Sequence, residues 1–121
     1  MDQSLYKNTN VKELSNNNFA VNGKILLNKD GFLMVYAPWC GHCVRRVPMW
    51  SEIATKLKNT NFVIASLNSM DENNKNLVKM LEVTMLPTVF YFSKDGTMTK
   101  YTEEIEENKL LNYACNKLKN F

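Results

Sequence analysis

The stretch Phe32-Leu33-Met34-Val35-Tyr36-Ala37-Pro38-Trp39-Cys40-Gly41-His42-Cys43 decides the reading of this chain, because an apolar run leads directly into two thiols separated by two residues. Phe32 to Ala37 has the length and the β-branched and aromatic character of a strand buried on both faces. Beyond the thiols the period changes. Val44, Val47, Trp50, Ile53, Ala54 and Leu57 recur at helical spacing, which predicts a helix from Cys43 to Leu57 and puts Cys40 where strand gives way to helix. Free backbone N–H groups and the positive end of the helix dipole favour a thiolate there. In such a Cys-X-X-Cys setting a thiol pKa falls from ~8.5 to roughly 3.5–7.5. Cys40 is therefore the candidate nucleophile. Cys43, one turn further in, is expected to be the more buried thiol and to resolve the mixed disulfide that Cys40 forms.

Other uses of a paired thiol fit less well. A zinc site usually draws on four ligands, and only Cys115 and the single histidine, His42, remain. A c-type haem needs histidine directly after the second cysteine, where Val44 stands. A purely structural disulfide stays open. No metal and no cofactor is expected.

The segment Tyr36-Ala37-Pro38-Trp39-Cys40-Gly41-His42-Cys43 resembles the active-site segment of the thioredoxin superfamily, with the Gly-His pair of its protein disulfide isomerase branch. Pro48, five residues after the second cysteine, is similar to the family's helix-kinking proline. Leu86-Pro87-Thr88 is similar to its cis-proline loop. The resemblance implies a cis bond before Pro87 and a Leu86 backbone available to an extended substrate strand, with Trp39 and Gly41 completing the substrate surface. In isolation Pro87 reads only as an edge or turn proline. Trp39 reads as an exposed apolar platform rather than core filler. His42 between two thiols is expected, as a protonated imidazole, to stabilise the Cys40 thiolate and make the disulfide more oxidising. Such pairs run from roughly −270 mV in thioredoxin to about −180 mV in protein disulfide isomerase, a span worth about 4 kcal/mol, and the oxidising half is expected here.

The rest of the chain predicts a thioredoxin-type α/β fold, a central mixed β-sheet flanked by helices. Its 121 residues, 45% hydrophobic, suit one core, so residues 1–121 read as a single domain. Val11 to Leu14 reads as a first strand, and Ser15 to Phe19 resembles the family's turn into a first helix. Phe62 to Leu67 reads as a strand parallel to that before the cysteines, the Cys43–Leu57 helix crossing between them. A helix follows over about Asp71 to Leu81. Thr88 to Phe92, the turn Lys94-Asp95-Gly96 and Met98 to Tyr101 form an antiparallel hairpin. A last amphipathic helix carries Leu110, Leu111, Ala114, Cys115 and Leu118 on one side, with Cys115 as a buried core thiol.

The departures from the family pattern bear on mechanism. The family's buried carboxylate lies six residues before the first cysteine and helps move the proton of the resolving thiol. That position is Met34 here. The lysine that partners it in isomerases falls near Ser66, and the loop Tyr101 to Glu107 lacks the isomerases' arginine. Cys43 is expected to lose its proton through water, slowing resolution. The absence would also suit a narrow partner such as a sulfhydryl oxidase or one client protein.

The function expected is that of a thiol-disulfide oxidoreductase forming, reducing or isomerising disulfides in proteins. The alternative is a redox-inactive thioredoxin-fold module that binds polypeptide on the Trp39 and Pro87 surface. A net charge of +3 from scattered lysines, with Arg45 and Arg46 the only arginines, does not argue for nucleic acid. No apolar run approaches a membrane span, and a monomer is expected. The sequence shows neither a secretory signal nor a C-terminal retrieval signal, so a cytoplasmic site is expected. Abundant Asn and Lys would also fit a large DNA virus running its own disulfide pathway.

Overall fold

The computed structural model describes residues 4–119; residues 1–3 and 120–121, on which the expectations about terminal signals partly rest, lie outside it. The described residues form nine strands and α-helices: β1 Lys12–Leu14, β2 Asp30–Tyr36, α1 Gly41–Arg45, α2 Val47–Lys56, β3 Phe62–Asn68, α3 Lys75–Met80, β4 Thr88–Phe92, β5 Met98–Lys100 and α4 Glu107–Leu118. The five strands form one sheet in the order β1-β3-β2-β4-β5. β3 runs parallel to β1 and β2, and β4 runs antiparallel to both β2 and β5.

β2 is buried along its whole length. Alternate side chains point to opposite faces of a strand, and two separate cores result. Phe32, Met34 and Tyr36 pack with Trp50, Ile53, Leu110 and Ala114, which belong to α2 and α4. Leu33 and Val35 pack with Leu14, Leu67, Leu77 and Phe90 on the other side. Phe32 is an aromatic hub, its ring centroid lying 5.1–6.2 Å from those of Phe62, Tyr113, Tyr101 and Trp50. The Trp50 indole N–H donates to the Ala65 carbonyl at 3.1 Å, so its one polar atom is satisfied in the core.

The structure differs from the sequence reading in four places. Between β1 and β2 the Ser15 capping box, with Asn18, closes only a 3-10 turn over Asn16–Asn18, and no α-helix is formed there. The helix before β4 likewise begins as a 3-10 turn over Glu72–Asn74, capped by Asp71, before α3. The helix read over Cys43–Leu57 is two helices, broken at Arg46, with Pro48, the proline similar to the family's helix-kinking one, in the first turn of α2. A proline there lacks the N–H that would continue the earlier helix. The break shifts the helical phase, so Val44 faces solvent while Trp50 and Ile53 are buried. Finally, Cys115 is exposed rather than a core thiol. Leu110 and Ala114 share the buried face of α4, and Cys115 is turned about 100° past Ala114, off that face. Tyr113, which packs on Phe32, Tyr91 and Tyr101, takes up the contact on the other flank.

Polar groups at the sheet edge are gathered by Glu13. Its Oε1 accepts from the hydroxyls of Ser4, Tyr36 and Ser66 at 2.8–2.9 Å, which satisfies the fully buried Ser66. At the other end of β2, Gly31 lies so close to its neighbouring strands that a Cβ would come within 2.3 Å of the Val63 carbonyl oxygen and 2.4 Å of Phe92 Cζ. Gly31→Ala is therefore expected to destabilise the chain by roughly 2–3 kcal/mol in urea unfolding, since strands on both sides must move to accept the methyl group.

Candidate active site

Cys40 leaves β2 through the turn at Pro38 and Trp39 and caps α1. Its backbone is extended, and its Sγ accepts the Cys43 N–H at 3.4 Å, doing at this N-cap what a serine or aspartate oxygen does elsewhere. Cys43 is the third residue of α1, which turns its side chain inward. The two thiols differ in access as the spacing predicts: Cys40 is 9% exposed and Cys43 0%.

Burial disfavours both thiolates, but the balance differs. At Cys40 the penalty is outweighed by hydrogen bonding from Cys43, by the backbone N–H groups of Cys43 and His42, and by the charge of Arg45, so its pKa lies below the ordinary 9.0. At Cys43 burial dominates, Cys40 adds to it, and the pKa is pushed up to about 11. A reactive thiol thus stands in front of a protonated one.

The antiparallel pairing of Val35 with Thr88 brings the start of β4 to the end of β2 from which Cys40 emerges. The Leu86–Pro87 bond is cis. The Leu86 carbonyl lies 3.9 Å from Cys40 Sγ and accepts its S–H. Trp39 is 70% exposed and Met85, just before Leu86, is 74% exposed, so apolar side chains flank the thiol on both loops. Gly41 opens α1 between them. All the residues singled out from the sequence, Trp39, Cys40, Gly41, His42, Cys43, Leu86 and Pro87, fall on α1 or on the loops at this end of the sheet. Met85 was missed because a lone methionine in a loop carries no periodic signal.

The model for the thioredoxin family matches residues 10–116 of this chain. The chain belongs to the thioredoxin family. Within it, the relatives are of the protein disulfide isomerase kind. A protein disulfide-isomerase of Drosophila melanogaster is 35% identical over 88 residues, covering 70% of this chain and 16% of the relative. Protein disulfide-isomerase 1 of Dictyostelium discoideum is 33% identical over 114 residues, covering 91% of this chain and 30% of the relative. This chain therefore spans less than a third of the length of either. Among solved structures, the J-Trx1 fragment of ERdj5 superposes with a TM-score of 0.79 at 22% identity, covering 95% of this chain and 55% of the fragment. The first thioredoxin domain of mouse protein disulfide-isomerase A4 gives 0.73 at 23%, covering 88% of this chain and 74% of that one. These two show the shared fold.

Neither of the two positions read as the missing acid and its partner carries an ionisable side chain. These residues, Met34 and Ser66, are register neighbours on β2 and β3 and both fully buried. The Tyr6 hydroxyl donates to Met34 Sδ at 3.4 Å, and the phenol lies in the same core cluster as Cys43. Neither Tyr6 nor Glu13 was foreseen, because their roles depend on the N-terminal segment folding back over β2. Among the described residues no group of three His, Cys, Asp or Glu side chains is placed to hold a metal ion.

The thiolate is the form that alkylates. In a Cys115→Ser background, the reduced chain should therefore take iodoacetamide at Cys40 with a pH midpoint below 9.0, while Cys43 stays unlabelled until the pH approaches about 11. Mass mapping of the labelled peptide checks both. Equal labelling of the two thiols at neutral pH would contradict the assignment.

Proposed function

We propose that this chain is a thiol-disulfide oxidoreductase acting on protein substrates. The observation that carries the reading is the asymmetry of the pair, a Cys40 thiol that keeps slight access to solvent with its pKa lowered and a fully buried Cys43 with its pKa raised. In the reducing direction the Cys40 thiolate attacks one sulfur of a substrate disulfide. A Cys40–substrate disulfide forms and the other substrate sulfur leaves as a thiolate, which takes up a proton. Cys43 then loses its proton and attacks Cys40 Sγ. The Cys40–Cys43 disulfide forms, and the second substrate sulfur is released. Two electrons pass from the chain to the substrate, and the reverse sequence oxidises a substrate dithiol. Trp39, Met85 and the Leu86–Pro87 loop offer the apolar floor and backbone on which an extended substrate would lie.

With a thioether at position 34, the Cys43 proton leaves through water rather than through a carboxylate, and resolution is the slow step. A separate sulfhydryl oxidase, or a single client, would suit that pace as redox partner.

The expected signature is a stable mixed disulfide through Cys40 in Cys43→Ser, seen on non-reducing gels, and none in Cys40→Ser. Full activity in the double Cys40→Ser, Cys43→Ser form would instead establish a polypeptide-binding module with idle thiols. Met34→Glu should speed resolution in stopped-flow assays and Met34→Gln, of similar shape but without an ionisable group, should not. Equal rates in the two variants would refute the proton-transfer account.

A further inference from the structure

We infer that Arg45, rather than a protonated His42, is the positive charge that stabilises the Cys40 thiolate, and that His42 is held by Arg45 as a neutral acceptor. This rests on the reading of Cys40 as the attacking thiol. Arg45 Nη2 lies 2.7 Å from His42 Nδ1. A guanidinium carries donors only and stays charged, so the ring nitrogen facing it is the acceptor and bears no proton. The imidazole proton is then on Nε2, and the ring is neutral. A second proton on Nδ1 would set two N–H donors and two positive charges against each other at hydrogen-bond distance.

The placement of the guanidinium stems from helical spacing. Arg45 is four residues after Gly41 and three after His42, on the same side of α1. Arg45 Nη1 lies beside Gly41, where an added Cβ would meet it at an ordinary contact of 3.4 Å, so the guanidinium rests against the first turn of α1 between the two thiols. Among the groups acting on Cys40, the Cys43 and His42 contributions are hydrogen bonds, and Arg45 acts through its charge. From the loop facing them the contact is the uncharged Leu86 carbonyl. The histidine therefore supplies a backbone N–H to the thiol and a rest for the arginine side chain, and Arg45 is a positioning and charge-setting residue.

Four variants test this in the Cys115→Ser background. Arg45→Gln keeps an N–H donor toward His42 and removes the charge. It should slow Cys40 alkylation at neutral pH by roughly three- to tenfold, move its pH midpoint up accordingly, and shift the equilibrium with glutathione by a similar factor toward the Cys40–Cys43 disulfide. Arg45→Lys should restore most of the loss, and His42→Ala should move the midpoint by less than Arg45→Gln. Nitrogen-15 spectra of the reduced chain at neutral pH should show His42 protonated at Nε2 alone, with Nδ1 becoming free to exchange tautomers in Arg45→Met. An unchanged midpoint in Arg45→Gln, a larger shift in His42→Ala, or a doubly protonated ring would overturn the inference. The alkylation midpoint is read without substrate, so a chain that fails to turn over disulfides would still report on Arg45.

Discussion

The complete burial of β2 is the constraint on which the rest of the structure depends. A strand covered on both faces needs apolar side chains in both phases, and Phe32, Met34 and Tyr36 on one side with Leu33 and Val35 on the other supply them. It also needs a strand on each edge, which β3 and β4 provide in opposite directions. The parallel partner requires a crossover, and α1 and α2 make it, so the chain must turn from strand to helix at the carboxyl end of β2. Cys40 stands at that turn. The antiparallel partner begins at the same end, which brings the Pro87 loop to the thiol. The site is a by-product of how one strand is buried and paired.

Much of this was legible in the sequence because it is written in short-range patterns. The unbroken apolar run of β2, the Cys-X-X-Cys spacing and the Asp95-Gly96 turn before β5 each specify local structure within a few residues. Features that depend on distant partners were not legible. The Ser15 box reads as a helix start, yet the turn it closes is held by long-range contacts such as the Asn16 N–H on buried Asn74 Oδ1 at 2.8 Å, and the turn goes no further. Cys115 has apolar neighbours at positions 111 and 118, but only the fit of α4 against Phe32 decides that Tyr113, and not Cys115, turns inward. The hydrogen bonds of Glu13 join residues 4, 36 and 66, a grouping no periodicity can announce.

The site shows the same division. The identities of the two thiols and their order of access come from spacing and the strand-to-helix switch. The position of the Arg45 guanidinium does not, since its side chain folds back beside Gly41 onto His42.

The neutral pair Met34 and Ser66 has a consequence outside the chemistry of disulfides. A buried carboxylate and ammonium must be stripped of water to enter a core, and replacing such a pair by packed neutral groups is often neutral or stabilising by about 1–4 kcal/mol. With a thioether against Tyr6 and a hydroxyl satisfied by Glu13, positions 34 and 66 bring no ion into the core, and the carboxylate that serves Ser66 stays exposed on β1. The core under the cysteines thus escapes the desolvation that a buried ion pair would cost it.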